Sequence, residues 1–394
     1  MNSIDLAVVI SHPTQYHAPI FRELDTREYT NLTVYFCDKQ GINESYDEGY
    51  GEEFSWDIPL LDGYKYEFLS NYAITSKIDH IGSRRINRFN PTIVSKVVKG
   101  DHDVFVLLGW NTLTYWMAMV TANLVSKPLV LRGPTKPDPA RDQSIIKRVV
   151  LKTILNSADA FAAIGTENKQ FYRNYGISSD SIFHSPNVVD NEFFQEQANK
   201  LPSASKLRRD EDIPENDTVF LFVGRLAEIK RPSVLIEAFD QAVGEDDATL
   251  VFVGDGELRE KLERKVSRKE RSDDVVFAGF QNQTELPRYY KLSDVFVLPS
   301  VQDMFPMVIM EAMNFSLPII TTDGVGSVPD LVHEDNGHVI RADDSEALAE
   351  VIAEINGQSD LIETMGRNSY RYIQEWNVAT AVDGIVKAAR YANR

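Results

Sequence analysis

The sequence predicts an α/β protein built from two Rossmann-like, doubly wound halves facing each other across a cleft. Short runs rich in Val, Ile and Phe alternate with amphipathic helical runs along the chain, the pattern of parallel sheets wound on both faces by helices. The alternation is interrupted once, by a polar, charge-dense, Pro-containing stretch over 195–218. A length of 394 residues suffices for two or three domains, each with its own core.

In the first half the strand candidates are 5–10, 31–37, 64–69, 103–108, 128–132, 159–165 and 181–186. In the second half they are 218–224, 249–254, 274–279, 294–300, 317–322 and 337–340. Each is a compact apolar run bounded by polar or Gly/Pro residues. The expected partition is a first domain over 1–195, a linker over 196–217, a second domain over 218–370, and a C-terminal helix over 371–394 that crosses back to the first domain. A ligand is expected at the carboxyl ends of the strands. The connection 38–63 is longer than most βα loops. It holds Tyr46, Tyr50, Phe54 and Trp56 among glycines and acids. It reads equally as an acceptor-binding loop and as a packed surface loop.

The net charge of -18 and pI near 4.9 exclude nucleic acid as the main partner, because phosphate binding needs clustered positive charge. They argue more weakly against broad docking on an anionic membrane. Two basic runs, Ser83 to Arg88 and Ile145 to Lys152, stand as candidate anchors for weak peripheral membrane association; the simpler reading of each is a solvated helix face. The single cysteine, Cys37, rules out an intrachain disulfide and fits a reducing cytosol. The N-terminal "MNSIDLAVVISHP" reads as a first strand rather than a leader, and no run reaches membrane-span length. The expected location is therefore the cytoplasm, or the cytosolic face of the membrane. Oligomeric state is not legible.

No metal site is expected. "DHD" (101–103) precedes a strand, at the wrong end for a site, "DED" (210–212) lies in the linker, and the seven histidines show no ligand spacing. "GDG" (254–256) is a tight turn and too short for a dinucleotide fingerprint. Three features are sharper. "FVGRLAEIKRP" ends a strand with Gly224 and then supplies Arg225 and Lys230, a fork and a point charge suited to a diphosphate. "MFPMVIMEAM" places Pro306 as a first helical residue, so the helix amides would face a phosphate. Glu311 lies deeper in that apolar helix and needs partners, either the hydroxyls of a ribose or a core cation. Asp303 stands just before the helix. "DGVGSVPDLV" (323–332) is a small-residue turn that admits close backbone approach.

Taken together, "GRLAEIK", "DMFPMVIME" and "GVGSVPD" resemble the donor domain of GT-B fold retaining glycosyltransferases, family-4-like (glycosyl transferases group 1). "SPNVVDNEFF" (185–194) resembles that family's segment ahead of the interdomain linker, and "VFAGF" (276–280) the turn that borders the base. The resemblance is firm over the second half and loose over the first, which it makes the acceptor side. It implies that Arg225 and Lys230 hold the donor diphosphate as leaving group, that Glu311 binds ribose, and that Asp303 contacts the sugar. It further implies that Gly224, Phe280, Phe305, Pro306, Met307 and Val308 line the donor, with no metal and no cofactor. The chain departs from the family's E-x7-E, because its first acid is Asp303. "SHPTQYHAP" (11–19) replaces the glycine-rich loop, so His12, Gln15 and His17 are candidate donor or acceptor contacts. Arg132 stands where many relatives have a histidine; it can bind an anion or a sugar but cannot act as a base.

The expected activity is transfer of a hexose-type sugar from a nucleotide-diphosphate donor, with UDP the expected nucleotide, to a glycan or lipid-linked oligosaccharide, with retention. Two alternatives stand beside it: a nucleotide-sugar 2-epimerase-type isomerase, and a non-catalytic nucleotide-sugar-binding homologue.

Overall fold

The computed structural model describes residues 3–42, 45–47, 52–72, 88–137, 144–244, 248–268 and 272–394. The chain divides into two compact units. The first comprises Met1–Ser45, Pro59–Asn187 and Val378–Arg394; the second comprises Tyr46–Ile58 and Val188–Asn377.

The first unit is built on strands β1 (Ile4–Ile10), β2 (Thr30–Phe36), β5 (Tyr66–Phe68), β6 (Val104–Leu107), β7 (Leu129–Leu131), β8 (Ala160–Ala163) and β9 (Ile182–His184). They form one parallel sheet in the order β5-β2-β1-β6-β7-β8-β9. Two short strands, β3 (Ser45–Asp47) and β4 (Glu52–Phe54), pair separately. The second unit carries β10 (Thr218–Val223), β11 (Ala248–Val253), β12 (Val275–Gly279), β13 (Val295–Leu298), β14 (Ile319–Thr322) and β15 (Gly337–Ile340). Its sheet is also parallel, in the order β12-β11-β10-β13-β14-β15. That is the doubly wound order, with the winding reversing between β10 and β13. β10, β11 and β13 are buried at every position, as strands covered on both faces must be. All the strands of both sheets lie within a few residues of the sequence candidates; only β3 and β4 were not anticipated.

The units divide differently from the expected partition. The stretch expected as a linker forms two helices, Asn191–Lys200 and Ala204–Asp210, each opened by a capping side chain, Asp190 and Ser203. Both helices belong to the second unit, because the charge-dense run conceals a buried residue. Arg208 is 8% exposed and donates to the carbonyls of Leu292 (2.8 Å) and Asp217 (3.1 Å) and to Asp294 Oδ2 (2.6 Å). Burial pushes the Asp294 carboxyl up from its ordinary value, and Arg208 pulls it back. Residues 46–58 also join the second unit: Asn282 Nδ2 donates to the Ser55 carbonyl (2.7 Å), and the Thr284 amide donates to Asp57 Oδ2 (3.1 Å). In this loop Trp56 is half-buried, whereas Tyr50 and the side chains of Tyr46 and Phe54 lie outside the described residues. The C-terminal segment starts its return later than position 371. Helix Ser359–Ile373 stays with the second unit, and helix Val378–Ala392 lies on the first sheet, where the Ala381 carbonyl accepts from Ser185 Oγ (2.8 Å).

Arg208→Ala leaves the mostly buried Asp294 without its cation. Denaturant titration of this variant should show a loss of about 3 kcal/mol; a loss below about 1 kcal/mol would show that the former linker is not a structural part of the second unit.

Candidate functional site

In the second unit the loops at the carboxyl ends of the strands stand in sheet order, and the one after β10 is stitched to both neighbours. On the β11 side the Gly224 amide donates to the Val253 carbonyl (2.9 Å), Leu226 to Asp255 (2.8 Å), and Leu258 to Leu226 (3.1 Å). On the β13 side the Val301 amide donates to the Ile229 carbonyl (3.0 Å). The approach is too close for side chains. A Cβ on Gly254, whose φ is +130°, would lie 2.1 Å from the Gly224 carbonyl oxygen, and one on Gly324 would lie 2.0 Å from that of Val301.

Sequence-predicted residues meet on this strip. Lys230 closes a short 3-10 turn, Glu228–Lys230, and its ammonium pairs with Asp303 across the point where the winding reverses. Both side chains are about one-fifth exposed, at 20% and 18%. Asp303 is itself pinned: its amide donates to the Gly324 carbonyl (3.2 Å) and its carbonyl accepts from the Gly326 amide (2.9 Å). Arg225, on the same loop, pairs with Glu257 (3.1 Å), while its Nε is buried with no protein partner. The hydroxyls of Ser300 and Ser327, in the loops after β13 and β14, are likewise buried without a partner. Such orphaned polar atoms are uncommon in native interiors.

The helix after β13 runs Met307–Asn314. Pro306 is its N-cap, in extended conformation, and not its first helical residue as the sequence suggested; no side chain caps this helix N-terminus. Phe305 is buried with its ring against Trp376 (centroids 5.9 Å apart), and Met307 and Val308 are half-buried. Glu311 is fully buried and accepts a hydrogen bond from the Tyr290 hydroxyl (2.7 Å). A phenol on a neighbouring helix thus serves one carboxylate oxygen, a partner beside the ribose and the core cation that the sequence suggested. Phe280 is half-buried and follows Gly279, whose carbonyl accepts from the Gly254 amide (2.7 Å).

The remaining candidates lie in the first unit. His17 precedes helix Ala18–Thr26, with Nδ1 2.7 Å from Thr14 Oγ1 and its ring stacked on Phe21. Burial, then the positive charge of Arg132 and of His12, push its pKa down to about 3, so the imidazole is neutral at physiological pH. His12 Nδ1 lies 2.9 Å from Ser11 Oγ and 3.3 Å from the Arg88 guanidinium, and Gln15 is buried. Arg132 is 3% exposed, and burial lowers its pKa to about 10. It donates to Ser185 Oγ (3.2 Å), the Pro186 carbonyl (3.0 Å) and Asn187 Oδ1 (3.1 Å). These bonds tie it to the 185–187 turn, a structural role beside the catalytic one expected from the sequence.

Sequence reasoning missed Tyr290, Glu257 and Trp376, which pair with Glu311, Arg225 and Phe305 from distant positions. Among the described residues no group of three or more His, Cys, Asp or Glu could hold a metal ion. In "DHD", Asp103 accepts from the Asp5 amide (2.9 Å) and thereby ties β6 to β1 at their amino ends. In "DED", Glu211 pairs with Arg288 (2.7 Å).

His17 makes stability depend on pH. The unfolded chain takes up its proton near pH 6.5 and the folded chain only near pH 3. Stability is therefore full above about 6.5 and falls as pH drops toward 3, by up to about 1.4 kcal/mol per pH unit. Denaturation midpoints measured from pH 7.5 down to pH 5 should fall less steeply in His17→Gln than in the parent. Tyr290→Phe strips a donor from a buried carboxylate and should cost about 1–3 kcal/mol in the same assay.

Residues 203–372 match the model of the family described as Glycosyl transferases group 1. An uncharacterised glycosyltransferase of Methanocaldococcus jannaschii is 35% identical over 130 residues, 33% of each chain. The UDP-Gal:alpha-D-GlcNAc-diphosphoundecaprenol alpha-1,3-galactosyltransferase of Escherichia coli is 29% identical over 256 residues, 61% of this chain and 64% of that one. These alignments thus span less than two thirds of either relative. Among solved structures, Anabaena HepE in complex with UDP superposes with a TM-score of 0.73 at 18% identity, covering 98% of both chains. Residues 203–372 therefore match the glycosyl transferases group 1 model, and the two units have the parallel-sheet α/β fold seen in HepE and in the sucrose-phosphate synthase of Thermosynechococcus elongatus.

Proposed function

We propose that the protein is a retaining, metal-independent glycosyltransferase that moves a hexose-type sugar from a UDP-linked donor to a glycan or lipid-linked oligosaccharide. The observation that carries this reading is the Lys230–Asp303 pair at the winding reversal, with Arg225 on the same loop and an uncapped helix N-terminus just beyond. A diphosphate needs short-range positive charge, and two cations and a helix end supply it without a metal. The orphaned Arg225 Nε is a donor awaiting an acceptor.

The bond from the anomeric carbon to the β-phosphate oxygen breaks, and the acceptor hydroxyl bonds to that carbon on the same face. Its proton passes to the departing phosphate, whose charge Arg225 and Lys230 stabilise. Asp303 holds the Lys230 ammonium in place and faces the sugar. Phe280 borders the base, and Glu311 binds the ribose while Tyr290 holds the carboxylate in place. His12, Gln15 and His17 are proposed acceptor or donor contacts, His17 as a neutral hydrogen-bonding group. UDP as the nucleotide has support from the UDP in the HepE structure, and a lipid-linked acceptor from the name of the Escherichia coli relative.

The test is a panel of nucleotide sugars and acceptor glycans, followed by free nucleotide and product mass. Transfer with a retained anomer is expected, and Arg225→Ala and Lys230→Ala should each weaken donor affinity at least about tenfold. An epimerised donor, or tight UDP binding without turnover even in Asp303→Glu, would sink the transferase reading. Unchanged donor affinity in both alanine variants would remove the diphosphate clamp.

A further inference from the structure

Three helices of the first unit carry most of its exposed large apolar side chains among the described residues. They are Thr92–Lys99, Leu113–Leu124 and Ile145–Leu155, and their inner faces pack into one core cluster on one face of the sheet. Their outer faces therefore form a single layer turned the same way. Nine of the sixteen large apolar side chains that are exposed among the described residues lie on these three helices. They fall in helical register at i, i+4: Val94 and Val98; Trp116, Val120 and Leu124; Ile145 and Val149; Ile146 and Val150. Leu124 is 80% exposed, and Ile145 and Ile146 are 78% each. A surface apolar over three adjacent helices is not an ordinary solvated face.

The charges on the same helices are one-sided. The chain has 59 acidic residues in 394, yet the three helices contain none. They do contain Lys96, Lys99, Lys147, Arg148 and Lys152. Lys96 pairs with Glu67; among the described residues no acid pairs with Lys147, Arg148 or Lys152. Exposed apolar side chains interleaved with unneutralised cations match an interfacial surface, with apolar groups entering the headgroup–acyl boundary and cations meeting anionic headgroups. No helix among the described residues is long and apolar enough to cross a membrane, so the layer would lie on a bilayer rather than span it. A second copy of the chain fits less well, because a symmetric contact would set these cations against themselves.

We propose that this layer docks the protein on the surface of an anionic lipid bilayer. The basic run Ile145 to Lys152 is then an anchor rather than a solvated face. The proposal stands apart from the transferase reading, since it uses no residue of the candidate donor site.

The test is sedimentation of the full chain with vesicles of phosphatidylcholine alone or containing about one third phosphatidylglycerol. Binding is expected to the anionic vesicles, weakened at least about tenfold on neutral ones or in about 1 M salt. Ile145→Ser/Ile146→Ser and Lys147→Glu/Arg148→Glu should each lower the partition at least about tenfold, with melting temperature unchanged because the residues are exposed. Leu124→Ser, on a different helix, should also lower it. Absence of binding to anionic vesicles, or equal binding by all the variants, would overturn the proposal. So would a concentration-dependent dimer in analytical ultracentrifugation that Ile145→Ser/Ile146→Ser abolishes, which would assign the layer to a second copy.

Discussion

The candidate donor site depends on the place of β10 between β11 and β13. In a parallel sheet every strand ends at the same edge, and between strands whose connections leave in opposite directions no helix covers that edge. The loop after β10 fills the opening by bonding to both neighbouring loops through backbone amides and carbonyls. That stitching leaves no room for a Cβ at Gly254 or Gly324, so the local sequence is fixed by backbone proximity before any ligand is considered. It also decides where charge can stand. Lys230 and Asp303 are far apart in sequence and meet because their strands are neighbours.

The pairing gives the shorter acid a physical role. An aspartate reaches one methylene less far than a glutamate, and here it is held by backbone bonds from the 324–326 turn and spends its carboxylate on Lys230. The cation is thus preset, at the cost of part of its charge. Glu311 follows the opposite logic. It is fully enclosed, and an isolated buried carboxylate is expensive, so the Tyr290 hydroxyl serves as a standing partner. A ligand that reaches Glu311 would share the carboxylate with that hydroxyl, so the charge it meets is already partly satisfied.

The strands were legible because a parallel strand buried on both faces is a continuous apolar run, as in Thr218–Val223. β3 and β4 were not, since three polar-leaning residues carry no such signal. The division into units was misread where composition and burial part company. "SKLRRDED" looks like linker, but Arg208 within it is a buried cation whose acid lies 86 residues away. Residues 46–58 join the second unit through bonds from Asn282 and Thr284, for which no local pattern exists. At the site, Arg225, Lys230 and Asp303 were legible as residues flanking strand ends. Glu257, the partner of Arg225, and Tyr290, the partner of Glu311, were not, because the pairing is set by the fold. Arg132 shows the same limit: its position suggested chemistry, while its bonds to the 185–187 turn carried no sequence signal.

Net charge predicts little about either surface that matters here. A chain of charge -18 repels anions at long range, but that field is screened over about 8–10 Å. Within that distance the local arrangement decides, and the two surfaces are arranged differently. At the carboxyl end of the second sheet the cations have acidic partners: Lys230 with Asp303, Arg225 with Glu257, Arg259 with Asp255, and Arg231 with Asp343. Pairing fixes their geometry, which suits a small ligand that needs donors at set positions. The three helices of the first unit contain no acid, and among the described residues Lys147, Arg148 and Lys152 pair with none. That arrangement suits a fluid surface with many equivalent anions and no fixed geometry. The contrast between paired and unpaired cations, more than their number, separates the candidate donor site from the proposed docking face.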